Sequence, residues 1–230
     1  MDFDQPAFWV AALKIIWINI LLSGDNAVVI ALACRMLPGR QRLWGMILGA
    51  GVAVLLRIVF TAIVSQVMEL PFLKLIGGLA LLWIAIKLIV PEDDAHGKDI
   101  EAVDNLWRAV RIVAVADIVM SLDNVIAIAA AAGGNMVLMA FGLAVSIPMI
   151  IGGAAIIMLM LDRFPLLVWA GAALLGWIAG EIIVEDAAVV RWLGADLAHR
   201  LTLWGAGLGA VIVVGTGFAM IRMRRPAPDI

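Results

Sequence analysis

Residues Asn19 to Ala33 read NILLSGDNAVVIALA and Asp117 to Ala131 read DIVMSLDNVIAIAAA, so Ser23, Asp25 and Asn26 recur 98 positions later as Ser121, Asp123 and Asn124. Each set joins a hydroxyl, a carboxylate and a carboxamide. These are hard oxygen donors, and the two copies could supply six side-chain ligands, a number suited to Mn²⁺, Mg²⁺ or Ca²⁺. Two carboxylates would neutralise a divalent ion. Zinc or copper would require His or Cys, but His96 and His199 fall in loops and Cys34 is the one cysteine. On an uninterrupted helix, Asn19, Ser23 and Asn26 share a face at i, i+4, i+7, as do Asp117, Ser121 and Asn124, while Asp25 and Asp123 point roughly 120 degrees away. Convergence of all these groups requires local unwinding, which Gly24 favours in the first copy and Leu122 disfavours in the second.

The elements that must position them are set by composition. Hydrophobic residues make up 65% of the 230-residue chain and charged residues 15%, with a mean hydropathy of +1.10, far above the roughly 45–50% apolar content of soluble domains. The class is an all-α polytopic membrane protein. A net charge of −2 provides no basic stripe, so nucleic acid is excluded as a partner. The start, MDFDQP, is acidic, which argues against a cleaved secretory signal. Apolar segments at 8–34, 43–67, 71–90, 108–132, 136–160, 165–184 and 203–221 predict seven transmembrane helices, each near the 20 residues or so that a bilayer requires. The runs are too long and continuous for barrel strands.

Both motifs then lie near mid-membrane, where an ionised aspartate costs roughly 2.5–3.5 kcal/mol on insertion scales. A bound cation would compensate that cost. Basic residues cluster at Arg35–Arg42, at Lys87–Arg111, at Arg163 and at Arg222–Arg225. With seven spans all four places fall on one side, which the positive-inside rule makes cytoplasmic. The N-terminus is then outside and the C-terminus cytoplasmic. Among the acids of the outer side, Asp186 is expected to be a loop residue whose replacement by Asn changes little.

The linker at 91–107 separates two three-helix stretches, at about 8–90 and 108–184, within a single membrane domain that spans 1–230. GAGVAVLL from Gly49 can be laid on GLAVSIPM from Gly142, and GLALLWIAIK from Gly78 on GAALLGWIAG from Gly171. Together with the motif pair these predict an inverted 3+3 repeat plus a C-terminal helix, since an odd number of spans turns the second copy over. The spacings Gly45 to Gly49, Gly176 to Gly180 and Gly205 to Gly209 fit small-residue helix packing.

A blander account stands beside the ion site. Buried Asp and Asn could act as hydrogen-bonding glue between helices, worth about 0.6 kcal/mol apiece. Arg57 is either a counter-ion of Asp25 or Asp123 in an empty site or a structural partner of Asp117. No Ser/His, HExxH or Cys/His constellation supports an enzyme.

The stretch LSGDNAVVIALA, the later DIVMSLDNVIAIAAA, the seven-span pattern and GLAVSIPMII resemble the TerC family of integral membrane proteins, in a YjbE/YkoY-like branch. The resemblance implies metal-ion homeostasis and export of Mn²⁺ from a bacterial-type inner membrane, with Mn²⁺ as the transported ion and no prosthetic cofactor. By motif, the family's metal-site positions carry over to Asp25, Asn26, Asp123 and Asn124, with Asp117 as a further acid. Asn19 stands where the second copy has Asp117, which makes the half-sites unequal in charge. The partners expected are a divalent metal ion, the lipid bilayer, and either a homo-oligomer or the secretion machinery. Export of Ca²⁺ or Mg²⁺, and a non-transporting role in secretion or metallation, are the alternatives.

Overall fold

The computed structural model describes residues 6–21, 24–67, 70–90, 101–132 and 135–224; within these the side chains of 6–7, 19–21, 61–67, 101–104, 122–127, 129–131, 136 and 224 lie outside the description. All regular structure among the described residues is helical. The helices are α1 Pro6–Leu21, α2 Gly24–Cys34, α3 Gly39–Val67, α4 Leu73–Ile89, α5 Glu101–Ala132, α6 Met136–Arg163, α7 Leu166–Val184, α8 Ala187–Leu193 and α9 Ala195–Arg224. Long apolar runs form helices here because a helix satisfies its backbone groups internally. Among the described residues four stretches are long and apolar enough to cross a membrane: Gly39–Phe60, Val137–Arg163, Leu166–Val184 and Ala195–Met223. Phe8–Ile18 and Gly24–Cys34 are shorter apolar pieces.

The first run is described as α1 and α2, and residues 22–23 between them lie outside the described residues. Two boundaries differ from expectation. The end of the linker predicted at 91–107 is helical from Glu101, and α8 precedes an α9 that begins at Ala195 rather than near 203. Each addition is polar or short, so hydropathy over a membrane-length window is blind to it.

The chain forms two compact units, one of Met1–Leu70 with Gly97–Arg163 and one of Pro71–His96 with Phe164–Ile230. The first holds α1, α2, α3, α5 and α6, the second α4, α7, α8 and α9. Each unit therefore draws helices from both sequence repeats.

In the first unit, the place of a Cβ on Gly49 of α3 lies 3.3 Å from Val113 of α5, and that on Gly142 of α6 lies 2.6 Å from Ile15 of α1. Gly49 aligns with Gly142 and Ile15 with Val113 in the repeat, so the same contact is made twice. Gly45 meets Leu106 near the starts of α3 and α5, which therefore run in the same direction. Gly153 of α6 meets Ala27 of α2, so α6 likewise runs parallel to α1 and α2. Phe8, Ala12, Ile15, Val54, Ile128, Leu138, Met139 and Leu143 form the buried apolar cluster of this unit. Asn135 caps α6 by accepting a hydrogen bond from the Leu138 N–H at 3.0 Å.

In the second unit α7 and α9 pack antiparallel through glycines. A Cβ on Gly176 would come within 2.6 Å of the Gly209 carbonyl oxygen, and one on Gly180 would strike that of Gly205. Without a hydrophobic drive between helices in lipid, such close backbone approach is what holds them. Asp186 organises the opposite end of α7. It is fully buried, and its Oδ1 accepts from the N–H of Ala188 at 2.8 Å and of Phe72 at 3.1 Å. Its Oδ2 accepts from the N–H of Leu75 at 3.1 Å. One carboxylate thus caps both α8 and α4, and it secures Phe72, whose φ of 67° is left-handed. Burial pushes the Asp186 carboxyl up, but the backbone N–H groups of Leu75, Ala188, Phe72 and Val189 outweigh it and hold the carboxyl below its ordinary value. The expectation that Asp186 is a dispensable loop residue is overturned for that reason.

Two outcomes follow from this unit. Asp186→Ala should cost about 1–3 kcal/mol, since caps of two helices are lost at once, read as a fall in thermal midpoint in detergent. Because its folded pKa is depressed, the wild-type advantage over Asp186→Ala should be complete above the ordinary carboxylate pKa and shrink as pH falls through the folded value. Gly180→Ala should lower stability by about 1–3 kcal/mol through overpacking, whereas Gly207→Ala, which faces open space, should be tolerated in the same melting assay.

Candidate functional site

All eight candidate ligand positions belong to the first unit. Asn19 is on α1 and Asp123 and Asn124 are on α5, but their side chains lie outside the description, as does Ser23 altogether. The first motif includes residues 22–23, which lie outside the description, so the unwinding expected at Gly24 falls outside the described residues; α5 runs through the second motif.

Asp25 sits in the first turn of α2. The positive end of a helix dipole favours a carboxylate there, and its Oδ1 accepts from the Asn26 N–H at 2.8 Å. Asp25 is partly buried and Asn26 buried. Beside them a Cβ on Gly24 would meet nothing within 4 Å, so the start of α2 borders open space. On α6, the stretch between the contacts Gly142–Ile15 and Gly153–Ala27 carries Pro148. Proline cannot donate to the carbonyl four residues back, which frees that of Ala144, while the Ser146 hydroxyl donates to the Gly142 carbonyl at 2.8 Å.

The strongest interaction of the site joins α3 to α5. Arg57 is the largest fully buried side chain among the described residues, 1% exposed, and Asp117 is 2% exposed. Arg57 Nη2 donates to Asp117 Oδ1 at 2.7 Å, and Arg57 Nε donates to Ser121 Oγ at 3.1 Å. Asp117 and Ser121, four residues apart, face the same way, as the helical spacing requires. Asp117 Oδ2 is buried and has no hydrogen-bond partner.

Of the three acids that the sequence left open for Arg57, Asp117 bonds it, while the Asp123 side chain lies outside the description. Among the described residues no three His, Cys, Asp or Glu side chains gather as metal ligands. Sequence reasoning overlooked Pro148, whose signal was a proline inside an apolar run of membrane length. It also overlooked the double cap at Asp186, which shows in sequence only as an acid directly before the short apolar run AAVVRWL.

Long apolar helices and a buried charged cluster define a multi-pass helical membrane protein. The profile of the family described as "Integral membrane protein TerC family" matches residues 4–226, and the chain belongs to that family. It is 44% identical over 179 residues to the uncharacterized membrane protein YjbE of Bacillus subtilis, covering 78% of this chain and 81% of that one. It is 24% identical to the uncharacterized membrane protein YkoY of the same organism, over 90% of this chain and 71% of that one. The UPF0053 inner membrane protein YoaE of Escherichia coli is 29% identical over 53% of this chain and 27% of its own length. No solved structure matches.

Removing one member of the buried pair should leave the other uncompensated. Arg57→Met or Asp117→Leu alone should cost about 3–5 kcal/mol, and the double variant should recover most of that. Thermal unfolding of the three purified variants in one detergent checks this.

Proposed function

We propose that this protein is an inner-membrane transporter that exports a divalent metal cation, Mn²⁺ foremost, by alternating access around a mid-membrane site built from the two SxDN motifs. The observation that carries this reading is the contact made twice, Gly49 with Val113 and Gly142 with Ile15. It supports a duplicated fold in which both motif helices hold equivalent places in one compact unit. Seven spans in an inverted 3+3 arrangement with a C-terminal seventh helix would make that duplication a pseudo-twofold one, the plan on which many transporters hold ions at mid-membrane.

The basic ends of the helices support the orientation. In the first unit Arg42, near the start of α3, bonds Asp162 at the end of α6 at 2.8 Å, and Gly45 meets Leu106 near the start of α5. Three of the four basic clusters thus share one end of that unit. In the second, Ile89 at the end of α4 meets Gly217 near the end of α9, which brings Lys87 toward the C-terminal arginines. A cytoplasmic C-terminus and an outer N-terminus agree with both groupings.

The donor chemistry fits the cargo. Asp25 and Asn26 lie in the first turn of α2, next to Gly24, where an added Cβ would meet nothing within 4 Å, and Asp123 and Asn124 are their repeats on α5. Carboxylate and carboxamide oxygens suit Mn²⁺, Mg²⁺ and Ca²⁺ alike; the preference for Mn²⁺ rests on the family resemblance.

Asp25→Asn and Asp123→Asn should each abolish Mn²⁺ flux in proteoliposomes while the protein still purifies as a folded monodisperse species. The exposed Asp196→Asn is the control that should leave flux unchanged. Undiminished flux in either motif variant would rule out the paired-carboxylate site and favour the hydrogen-bonding glue account.

A further inference from the structure

We infer that the basic end of the first unit holds the headgroup of one anionic phospholipid, with Arg35, Arg40 and Arg163 as its charge partners and the hydrocarbon of the lipid lying against Met36 and Trp44. This is a second site, at the far end of α2 from Asp25, and it stands whether or not the protein moves an ion.

The ends of four helices meet there, and Arg42 of α3 is the hub. Its Nη1 bonds Asp162 Oδ2 of α6 at 2.8 Å, and its Nε donates to the Leu37 carbonyl at 2.8 Å. A Cβ on Gly45, further along α3, would lie 2.8 Å from Cys34 Sγ at the end of α2 and 3.5 Å from Leu106 near the start of α5. Every one of these ends carries arginine, at 35, at 40 and 42, at 108 and 111, and at 163. Among the described side chains Asp162 is the one acid at this end, and Arg42 already holds it.

Arg35, Arg40 and Arg163 surround that ion pair. Arg163 follows the bonded Asp162, Arg40 stands two residues before Arg42, and Arg35 stands two before the bonded Leu37. Arg40 and Arg163 are exposed, whereas Arg35 is half-buried and its Nε is shut away from solvent without a hydrogen-bond partner. Burial pushes the Arg35 guanidinium below its ordinary pKa, which marks a charge that has lost water and gained no counter-charge. Such a charge is costly to keep, and an anion against the outer face of the guanidinium offsets the cost. The planar fork of arginine matches two phosphate oxygens at once.

The apolar neighbours distinguish a lipid from a soluble phosphate. Met36 is 68% exposed and Trp44 58%, one beside Arg35 and the other two residues past Arg42. A soluble anion makes no use of them. A phospholipid presents its phosphodiester and its hydrocarbon side by side, and tryptophan is enriched at the depth where the two meet. Basic sites between the ends of membrane helices are suited to acidic headgroups.

The test uses the full chain in an uncharged detergent, with thermal unfolding followed as phosphatidylglycerol, phosphatidylcholine or glycerol 1-phosphate is added. Phosphatidylglycerol should stabilise at an amount about fivefold or more below that of phosphatidylcholine, and glycerol 1-phosphate should have no effect at matched phosphate. Arg35→Gln, Arg40→Gln and Arg163→Gln should each raise the half-stabilising amount of phosphatidylglycerol about fivefold, the scale of one basic residue at an anionic surface. Arg200→Gln, an exposed base of the second unit, should leave it unchanged. Without lipid, Arg35→Gln should melt no lower than wild type, because it removes a partly dehydrated charge.

Equal stabilisation by phosphatidylcholine and phosphatidylglycerol would overturn the inference. A full response to glycerol 1-phosphate would overturn it by making the site one for soluble phosphate, and an equal loss in Arg200→Gln by making the effect one of net charge. If Arg35→Gln lowers the melting temperature equally with and without lipid, Arg35 is structural and its assignment falls. The acidic linker is the rival occupant: a response to phosphatidylglycerol that emerges only with Glu92→Gln, Asp93→Asn, Asp94→Asn and Asp99→Asn would give the arginines to the linker instead. Should Arg35→Gln not survive purification, Arg40→Gln and Arg163→Gln decide, since neither side chain is buried.

Discussion

The constraint from which the rest of the first unit follows is the cost of placing charge in a medium that cannot hydrate it. Arg57 and Asp117 meet that cost by facing each other across α3 and α5. For the two to meet, the helices must run side by side, and Gly49 and Gly45 permit the approach by presenting no side chain to Val113 and Leu106. Such a buried pair is weak evidence for stability, since well-packed apolar residues often do as well. It is better evidence for register, because the helices cannot slide by a turn without leaving a bare charge in the apolar interior.

Asp25 meets the same cost differently. It sits in the first turn of α2, where its Oδ1 accepts a hydrogen bond from the Asn26 N–H. Its repeat, Asp123, lies within α5. Pro148 on α6 adds an irregularity along the stretch packed beside α1 and α2.

Much of this was legible in the residues. Membrane-length apolar runs locate the long helices, because in lipid length and apolarity are what a span requires. The repeat alignment paired Gly49 with Gly142, the glycines that meet Val113 and Ile15. Small-residue spacing anticipated the close approach of α7 and α9, since Gly176, Gly180, Gly205 and Gly209 have no other evident role. The division into units was not legible: apolar surfaces facing lipid and facing helices read alike, so nothing in composition separates α4 from its sequence neighbours. Arg57 was visible as a buried base, but three acids were candidates for it and only packing distinguishes them. Asp186 was misread because a loop position suggests solvent, whereas its partners Phe72 and Leu75 lie 114 and 111 residues earlier in the chain.

That separation bears on biogenesis. Chains grow at about 5–20 residues per second, so the amides of Phe72 and Leu75 exist for several seconds or longer before the carboxylate that receives them has been made. Through that interval the first turn of α4 must rely on water or lipid headgroups for its hydrogen bonds. The second unit is thus completed late, when α7 has entered the bilayer and delivered Asp186. Any quality-control step that surveys exposed helix ends would find this one open longest.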